Sequence, residues 1–272
     1  MEPFIKHTDE FLTIEHWVSD FPGLTAGFST KNGGFSKGEF TGLNMGFHVS
    51  DDQLTVMKNR QHLGGKLDFP LSNWVGADQT HEVNVAKVSP KDAGLGAMQY
   101  DSSFPHTDGF YTNDQGILLT LCYADCVPLY FLHRKTKTIG IAHAGWKGTV
   151  HGIAEKMITV FKNDGIPANE IEAVIGPSIC GQCYVVDDRV IKAANQWKND
   201  HLPPAYKEIS KGQYLLDLKQ LNRQVMIHSG LAEKNIVISN YCTSCNADLF
   251  YSHRRDSGKT GRMISFMGWK EE

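Results

Sequence analysis

The chain lacks any apolar run long enough to suggest a membrane span. Its longest, Ile117 to Leu132, is interrupted by Asp125 and Pro128 and reads as two strands around a loop. It also lacks an excess of charge. Lys and Arg number 27 against 30 Asp and Glu, a net charge of −3, so the basic footprint of a nucleic-acid binder is missing. Met1-Glu-Pro-Phe-Ile-Lys6 does not have the charged-then-apolar order of a secretion signal. With only six cysteines in 272 residues, reduced thiols in a cytoplasmic protein are expected rather than a disulfide framework. Low-complexity segments, internal repeats and Pro/Ser-rich linkers are absent as well, which leaves a single domain over residues 1–272 as the expectation.

What is present is an ordinary globular composition, 41% hydrophobic and 21% charged, in a chain long enough to bury a full core. Val150, Ile153, Ala154, Met157, Ile158 and Phe161 recur at the i, i+3, i+4, i+7 spacing of an amphipathic helix. Asn163-Asp-Gly165 and Pro167 would stop it. A second helix is predicted from Leu215 through Leu218, Leu221 and Val225 to near Gly230, with others over Asp52 to Leu63 and Asp188 to Trp197. Strand-like runs are Ile117–Cys122, Pro128–Leu132, Thr138–Ala142, Ile171–Ile175, Asn235–Ser239 and Arg262–Phe266. These elements do not alternate strictly as βαβ units. The predicted class is therefore α/β (α+β), a mixed β-sheet flanked by helices in an α/β/α sandwich-like arrangement.

Three residues suggest a definite chemistry. His81 lies in Gln79-Thr-His-Glu82, Cys126 ends Cys122-Tyr-Ala-Asp-Cys126, and His143 opens His143-Ala-Gly-Trp-Lys-Gly-Thr149. Two imidazoles and a thiol match the ligand count of a catalytic zinc, whose fourth position is left to water or substrate. The spacing is not a compact metal motif, and in a chain with 12 histidines the plainer readings are a solvated His81, a backbone-bonded His143 and a small buried Cys126. A second chemistry fits the same residues, with Cys126 as nucleophile, His143 as its base, and Asp125 or Asp108 orienting the ring. A chelator separates the two, abolishing activity in the first and sparing it in the second.

Gly145-Trp-Lys-Gly148 joins a strand to a helix, an arrangement that can offer backbone N–H groups to an anion, with Lys147 adding charge. It serves equally well as a plain turn. Ser252-His-Arg-Arg-Asp256 and Lys259-Thr-Gly-Arg262 carry arginines suited to phosphate or carboxylate, or to a salt-bridged turn. Cys122, inside an apolar run, reads as a core thiol. Cys180-Gly-Gln-Cys183 and Cys242-Thr-Ser-Cys245 are two CxxC pairs whose separation far exceeds the ~15–20 residues of a compact zinc ribbon. They are expected to be separate, local thiols, and one four-cysteine site only if the fold joins their loops.

Taken together, several motifs carry a family resemblance. They are Gly27-Phe-Ser-Thr-Lys-Asn-Gly-Gly34, Thr41-Gly-Leu-Asn-Met-Gly46, Gln79-Thr-His81, Asp108-Gly-Phe110, Ala124-Asp-Cys-Val-Pro128, His143-Ala-Gly-Trp-Lys-Gly148, Ile175-Gly-Pro177 and Ser252-His-Arg-Arg-Asp256. The set resembles the YfiH/YlmD-like family, also called laccase-domain or polyphenol-oxidase-like proteins, from about Gly27 to Trp269. The loop with Cys242 and Cys245 is most similar to the YlmD branch. The resemblance implies a single α/β/α-type fold and a zinc held by His81, Cys126 and His143. It also implies phosphorolysis of adenosine, inosine, guanosine and methylthioadenosine, with deamination of adenosine. The older reading of the family is a copper-dependent phenol oxidase. Lys31 and Lys147 stand where the family commonly has arginine, which keeps the charge but not bidentate geometry.

Multicopper oxidation needs paired His-x-His ligands, and no two histidines here are two residues apart. Zinc has no redox chemistry but can polarise an oxygen or activate a water, which suits the nucleoside reactions. The expected partners are purine nucleosides and phosphate, with no nucleic acid or membrane. Phosphate is assigned to Lys147, Arg60 or the Arg254/Arg255 pair, and nucleoside orientation to Asn44 or Asp125. Glu82 is an alternative acid/base. The third alternative is a zinc-binding module without turnover.

Overall fold

The computed structural model describes residues 2–199 and 201–271. The expected mixed sheet flanked by helices is found, with its strands divided between two six-stranded sheets and a small three-stranded one. The first sheet runs, in spatial order, Phe4–Lys6, Phe11–Ile14, Leu24–Ser29, Met263–Trp269, Leu118–Tyr123 and Trp74–Val75. It is antiparallel except for its last pair. The second runs Ile236–Ile238, Glu172–Ile175, Val127–His133, Thr138–Ala144, Gly109–Thr112 and Val85–Lys87. Its two edge pairs are parallel and its centre antiparallel.

Side-chain alternation explains how the sheets stack. In Val127–His133, Tyr130 and Leu132 enter the core between the sheets, while Leu129 and Phe131 enter the core beneath the helices. Thr138–Ala144 repeats the pattern, with Ile139 and Ile141 facing the opposite sheet and Ala142 and Ala144 facing the helices. Strands buried on both faces read as continuous apolar runs, which is why these two stand out in the sequence. From the first sheet, Ala26, Phe28, Leu119, Leu121, Tyr123 and Met267 complete the inter-sheet core. Its outer face packs Leu118, Ile264 and Phe266 against Leu63 and Leu67 of the helix Gln53–Leu67. The layers are thus helix, sheet, sheet, helix.

The amphipathic helix forms over Ile153–Asn163 and buries Ile153, Ala154, Met157, Ile158 and Phe161. Val150 belongs instead to a short preceding helix, Trp146–Val150, because Gly152 at φ 85° breaks the chain between them. Leu218–His228 starts after Asp217, whose carboxylate caps the amides of Lys219 and Gln220. Leu215 falls in the strand Gln213–Leu216, because Asp217 caps the helix two residues further on. Gln53–Leu67 begins at a similar Asp52 cap and continues through Gly64-Gly65 to Asp68 in the left-handed region. The amino-terminal strands and the small sheet of Val185–Asp187, Gln213–Leu216 and Tyr206–Ser210 have no counterpart among the predicted elements. The small sheet is mostly exposed or half-buried, and its strands keep no strict alternation of apolar and polar residues. Among the described residues no helix is long and apolar enough to cross a membrane.

Gly140 lets the helix Ile153–Asn163 sit close on the strand that carries His143. A Cβ there would stand 2.9 Å from Met157 Sδ and 3.3 Å from a ring carbon of Phe161. Gly140→Val is expected to overpack this contact and destabilise the protein by roughly 1–3 kcal/mol, measured as a lower urea midpoint with an unchanged slope.

Candidate metal centre and cavity

Two of the three predicted ligands ride on crossings between the sheets. Strands Trp74–Val75 and Leu118–Tyr123 lie side by side and parallel in the first sheet. From each the chain crosses to the second sheet, through His81 to Val85–Lys87 and through Cys126 to Val127–His133. Both crossings use a left-handed residue, His81 at φ 62° and Asp125 at φ 80°. His143 is the penultimate residue of Thr138–Ala144 and shares the inter-sheet face with Ile139 and Ile141 by alternation. The three converge where the two sheets part, with their ligand atoms all within 4.8 Å of one another.

Asp108 holds this arrangement together. Fully buried before the strand Gly109–Thr112, its carboxylate accepts the backbone N–H groups of Thr80 (3.1 Å), His81 (3.1 Å) and Glu82 (2.9 Å). It also stands 2.8 Å from His143 Nδ1. Of the two acids considered for orienting His143, the structure places Asp108, and not Asp125, against the ring. Burial works against a charge on Asp108, and the imidazole and amides outweigh it, holding the carboxyl below its ordinary value. With Nδ1 engaged by the acid, Nε2 is left for a metal or a proton.

Burial likewise opposes the charged forms of Cys126 and His143, and their mutual attraction overcomes it. The thiol is pulled down to about 6 by His143 and His81. His143 is raised to about 9 by Cys126 and Asp108. Each group thus favours the charged form of the other, thiolate beside imidazolium. Gly145 closes the other side, since a Cβ there would lie 3.1 Å from both Cys126 Sγ and His81 Cδ2. Two nitrogens and a thiolate with one side open, supported by an outer carboxylate, form a donor set that fits zinc.

The trio opens into a cavity of about 570 Å³, whose walls include Asp125, Trp146, Lys147, Tyr184, Arg254 and Arg262. Lys147 is exposed, and the Arg254 guanidinium lies 4.8 Å over the Tyr184 ring. Asp125 is buried, its carboxylate taken up by Thr243 Oγ1 (2.6 Å), Ser252 Oγ (3.0 Å) and the Arg254 amide (2.7 Å). Other predicted residues lie outside the wall. Arg60 is buried and donates to the carbonyls of Met45, Gly96 and Ala97. Asn44 accepts the amides of Gly46 and Arg262 and donates to Asp51. Arg255 braces the carbonyls of Thr243, Ser244 and Phe250 and pairs with Asp256. Glu82 is exposed, and its amide rather than its carboxylate serves the site.

Sequence reasoning missed His48, Tyr100 and Tyr184 on the wall, which carry no local signal. Arg262, of the basic cluster near the carboxyl terminus, does line it. Cys122, expected in the core, also reaches the cavity. The two CxxC pairs, expected to be separate, come together with all four sulfurs within 4.8 Å. Their strands are adjacent in the second sheet, so distance along the chain did not measure distance in space.

The same architecture is found in proteins already described. A family described as multi-copper polyphenol oxidoreductase laccase matches residues 25–270, and the chain belongs to it, an enzyme family. Within that family it is a YlmD/YfiH-type protein. It is 46% identical to "Purine nucleoside phosphorylase YlmD" of Bacillus subtilis (strain 168), over 99% of this chain and 98% of that one. The crystal structure of YlmD from Geobacillus stearothermophilus superposes with a TM-score of 0.96 at 43% identity, covering 100% of both chains. That of Bacillus licheniformis hypothetical protein YfiH gives 0.95 at 45%, covering 99% of this chain and 100% of the other.

The ion pair makes Cys126 an unusually reactive thiol in metal-free protein. Its alkylation by iodoacetamide, followed residue by residue by mass spectrometry, should stay fast at neutral pH and slow as pH falls through about 6. Asp108→Asn removes the support for the imidazolium, so the midpoint should move upward. The same change should weaken zinc binding by about 10–100-fold.

Proposed function

We propose that the protein is a zinc-dependent purine nucleoside phosphorylase with adenosine deaminase side activity. The observation that carries this reading is the His81/Cys126/His143 cluster opening into a cavity that also presents Lys147, Arg254 and Arg262. A volume of about 570 Å³ falls within the ~300–1,000 Å³ of small-molecule sites. The names of the curated relatives support the same substrate class. Zinc held there would supply Lewis acidity to polarise a substrate oxygen.

The chain's own residues supply the rest. Trp146, Tyr184 and Tyr100 give the cavity planar apolar surface for a purine. Lys147, Arg254 and Arg262 offer the positive charge that a phosphate needs. In phosphorolysis a phosphate oxygen bonds to ribose C1′ as the bond from C1′ to the base nitrogen breaks, and the base leaves with a proton. Arg60 and Arg255 are given no part, because neither lines the cavity and both guanidinium groups are bonded to groups outside it.

A second reading draws on the Cys126–His143–Asp108 relay, which also has the form of a nucleophile, a base and an orienting acid. A multicopper oxidase is disfavoured: of the metal-capable groups among the described residues, only the His81/Cys126/His143 cluster contains histidine.

Base release from adenosine or inosine should require phosphate, and should be lost in His81→Ala and after zinc removal. Lys147→Ala, Arg254→Ala and Arg262→Ala should each raise the KM for phosphate, by about tenfold or more for a charged contact of ~1.5–3 kcal/mol. Release that proceeds without phosphate would show hydrolysis instead. Activity that survives chelation would favour the cysteine relay.

A further inference from the structure

Cys180, Cys183, Cys242 and Cys245 do not line the cavity. Cys180 and Cys183 follow the strand Glu172–Ile175, and Cys242 and Cys245 follow Ile236–Ile238. These strands pair in parallel, with Ile175 opposite Ile238, so both loops leave the same end of the sheet. A bridge between Ser178 and Cys242 prolongs the pairing. All four sulfurs then fall within 4.8 Å of one another, and all four cysteines are free. Thiols are weak hydrogen-bonding partners, so attraction among themselves does not account for such a cluster.

The backbone is arranged around the sulfurs as around metal ligands. Cys242 Sγ receives the N–H groups of Cys180 at 3.3 Å and Cys245 at 3.4 Å. The second closes the CxxC turn from its last residue back to its first. Hydrogen bonds to a ligating sulfur are the outer support that metal–thiolate sites use. Cys242 is buried and Cys245 exposed, which leaves an ion a way in from solvent.

We propose that Cys180, Cys183, Cys242 and Cys245 bind one zinc ion in a closed, four-thiolate structural site. Four sulfurs on two CxxC turns complete a tetrahedral shell and leave no open position for substrate. The ion clasps two loops, the first of which forms part of the cavity wall. Ile179 and Tyr184, which flank the first pair, line the cavity. The Ile179 amide donates to the Asp125 carbonyl at 3.1 Å. On the second loop Thr243 Oγ1 donates to the Asp125 carboxylate at 2.6 Å. The clasp therefore bears on the residue beside Cys126 without taking part in chemistry.

The full chain, kept reduced and loaded with zinc alone, is measured by elemental analysis and native mass spectrometry. Cys126→Ser, which disables the cavity cluster, should retain one tightly held zinc, and adding Cys183→Ser and Cys245→Ser to it should abolish that zinc. Cobalt in place of zinc should give intense thiolate-to-cobalt charge transfer in Cys126→Ser, absent from the triple variant. Since folding of the triple variant is itself at stake, the decisive measurement is on Cys126→Ser, with its fold checked by circular dichroism. A folded, reduced Cys126→Ser that holds no metal would overturn the proposal. So would tightly held iron in place of zinc, or a native Cys183–Cys245 disulfide, whose sulfurs stand 3.4 Å apart. None of these readouts depends on nucleoside turnover, so failure of the catalytic reading leaves the test intact.

Discussion

The buried carboxylate of Asp108 is the interaction on which the centre depends. Taking a charge out of water is costly unless it is fully bonded, and here the donors are three consecutive amides and an imidazole. Meeting that requirement pins the loop of His81 in a left-handed turn and fixes which nitrogen of His143 faces the centre. One acid thus positions two of the three candidate ligands from different elements. The third, Cys126, comes from the neighbouring crossing and faces His143, whose charged form Cys126 and Asp108 both favour.

The stacked sheets give this interaction its setting. Because the chain crosses from one sheet to the other beside both His81 and Cys126, the centre lies at the open end of the inter-sheet core. Tyr123 closes the core just beneath it, its ring 5.3 Å from that of His143 and its hydroxyl donating to the Ala142 carbonyl at 3.2 Å. Gly145 keeps the remaining side free of a Cβ. A rigid apolar floor and an open polar mouth are what a small-molecule site requires. The first cysteine-bearing loop adds a further wall, and both cysteine loops are anchored through Asp125.

Charge near a cavity is not the same as charge in it. Arg60 and Arg255 are each satisfied by backbone carbonyls, where they join loops and offer little to a ligand. Lys147, Arg254 and Arg262 line the cavity, with one guanidinium nitrogen of Arg254 held by the Val185 carbonyl and one of Arg262 by those of Thr260 and Gly261. Arg254 also shows how one residue divides its work, with its amide holding Asp125 and its guanidinium lying over Tyr184.

The sequence by itself determined the apolar strands, the helix of Met157 and Phe161 and the family, since local periodicity and short motifs record these directly. Through the family resemblance it also singled out His81, Cys126 and His143, which the structure brings together. Doubly buried strands such as Val127–His133 show in composition because both faces meet apolar neighbours. The small sheet and the short amino-terminal strands do not, for they are partly solvated or too brief to carry a period. Only the tertiary structure decided that Asp108 rather than Asp125 holds His143, that Arg60 and Arg255 are bound to backbone, and that the two CxxC pairs meet. Each of these depends on which strands become neighbours, and pairing across a sheet is set by long-range packing that no local stretch of sequence encodes.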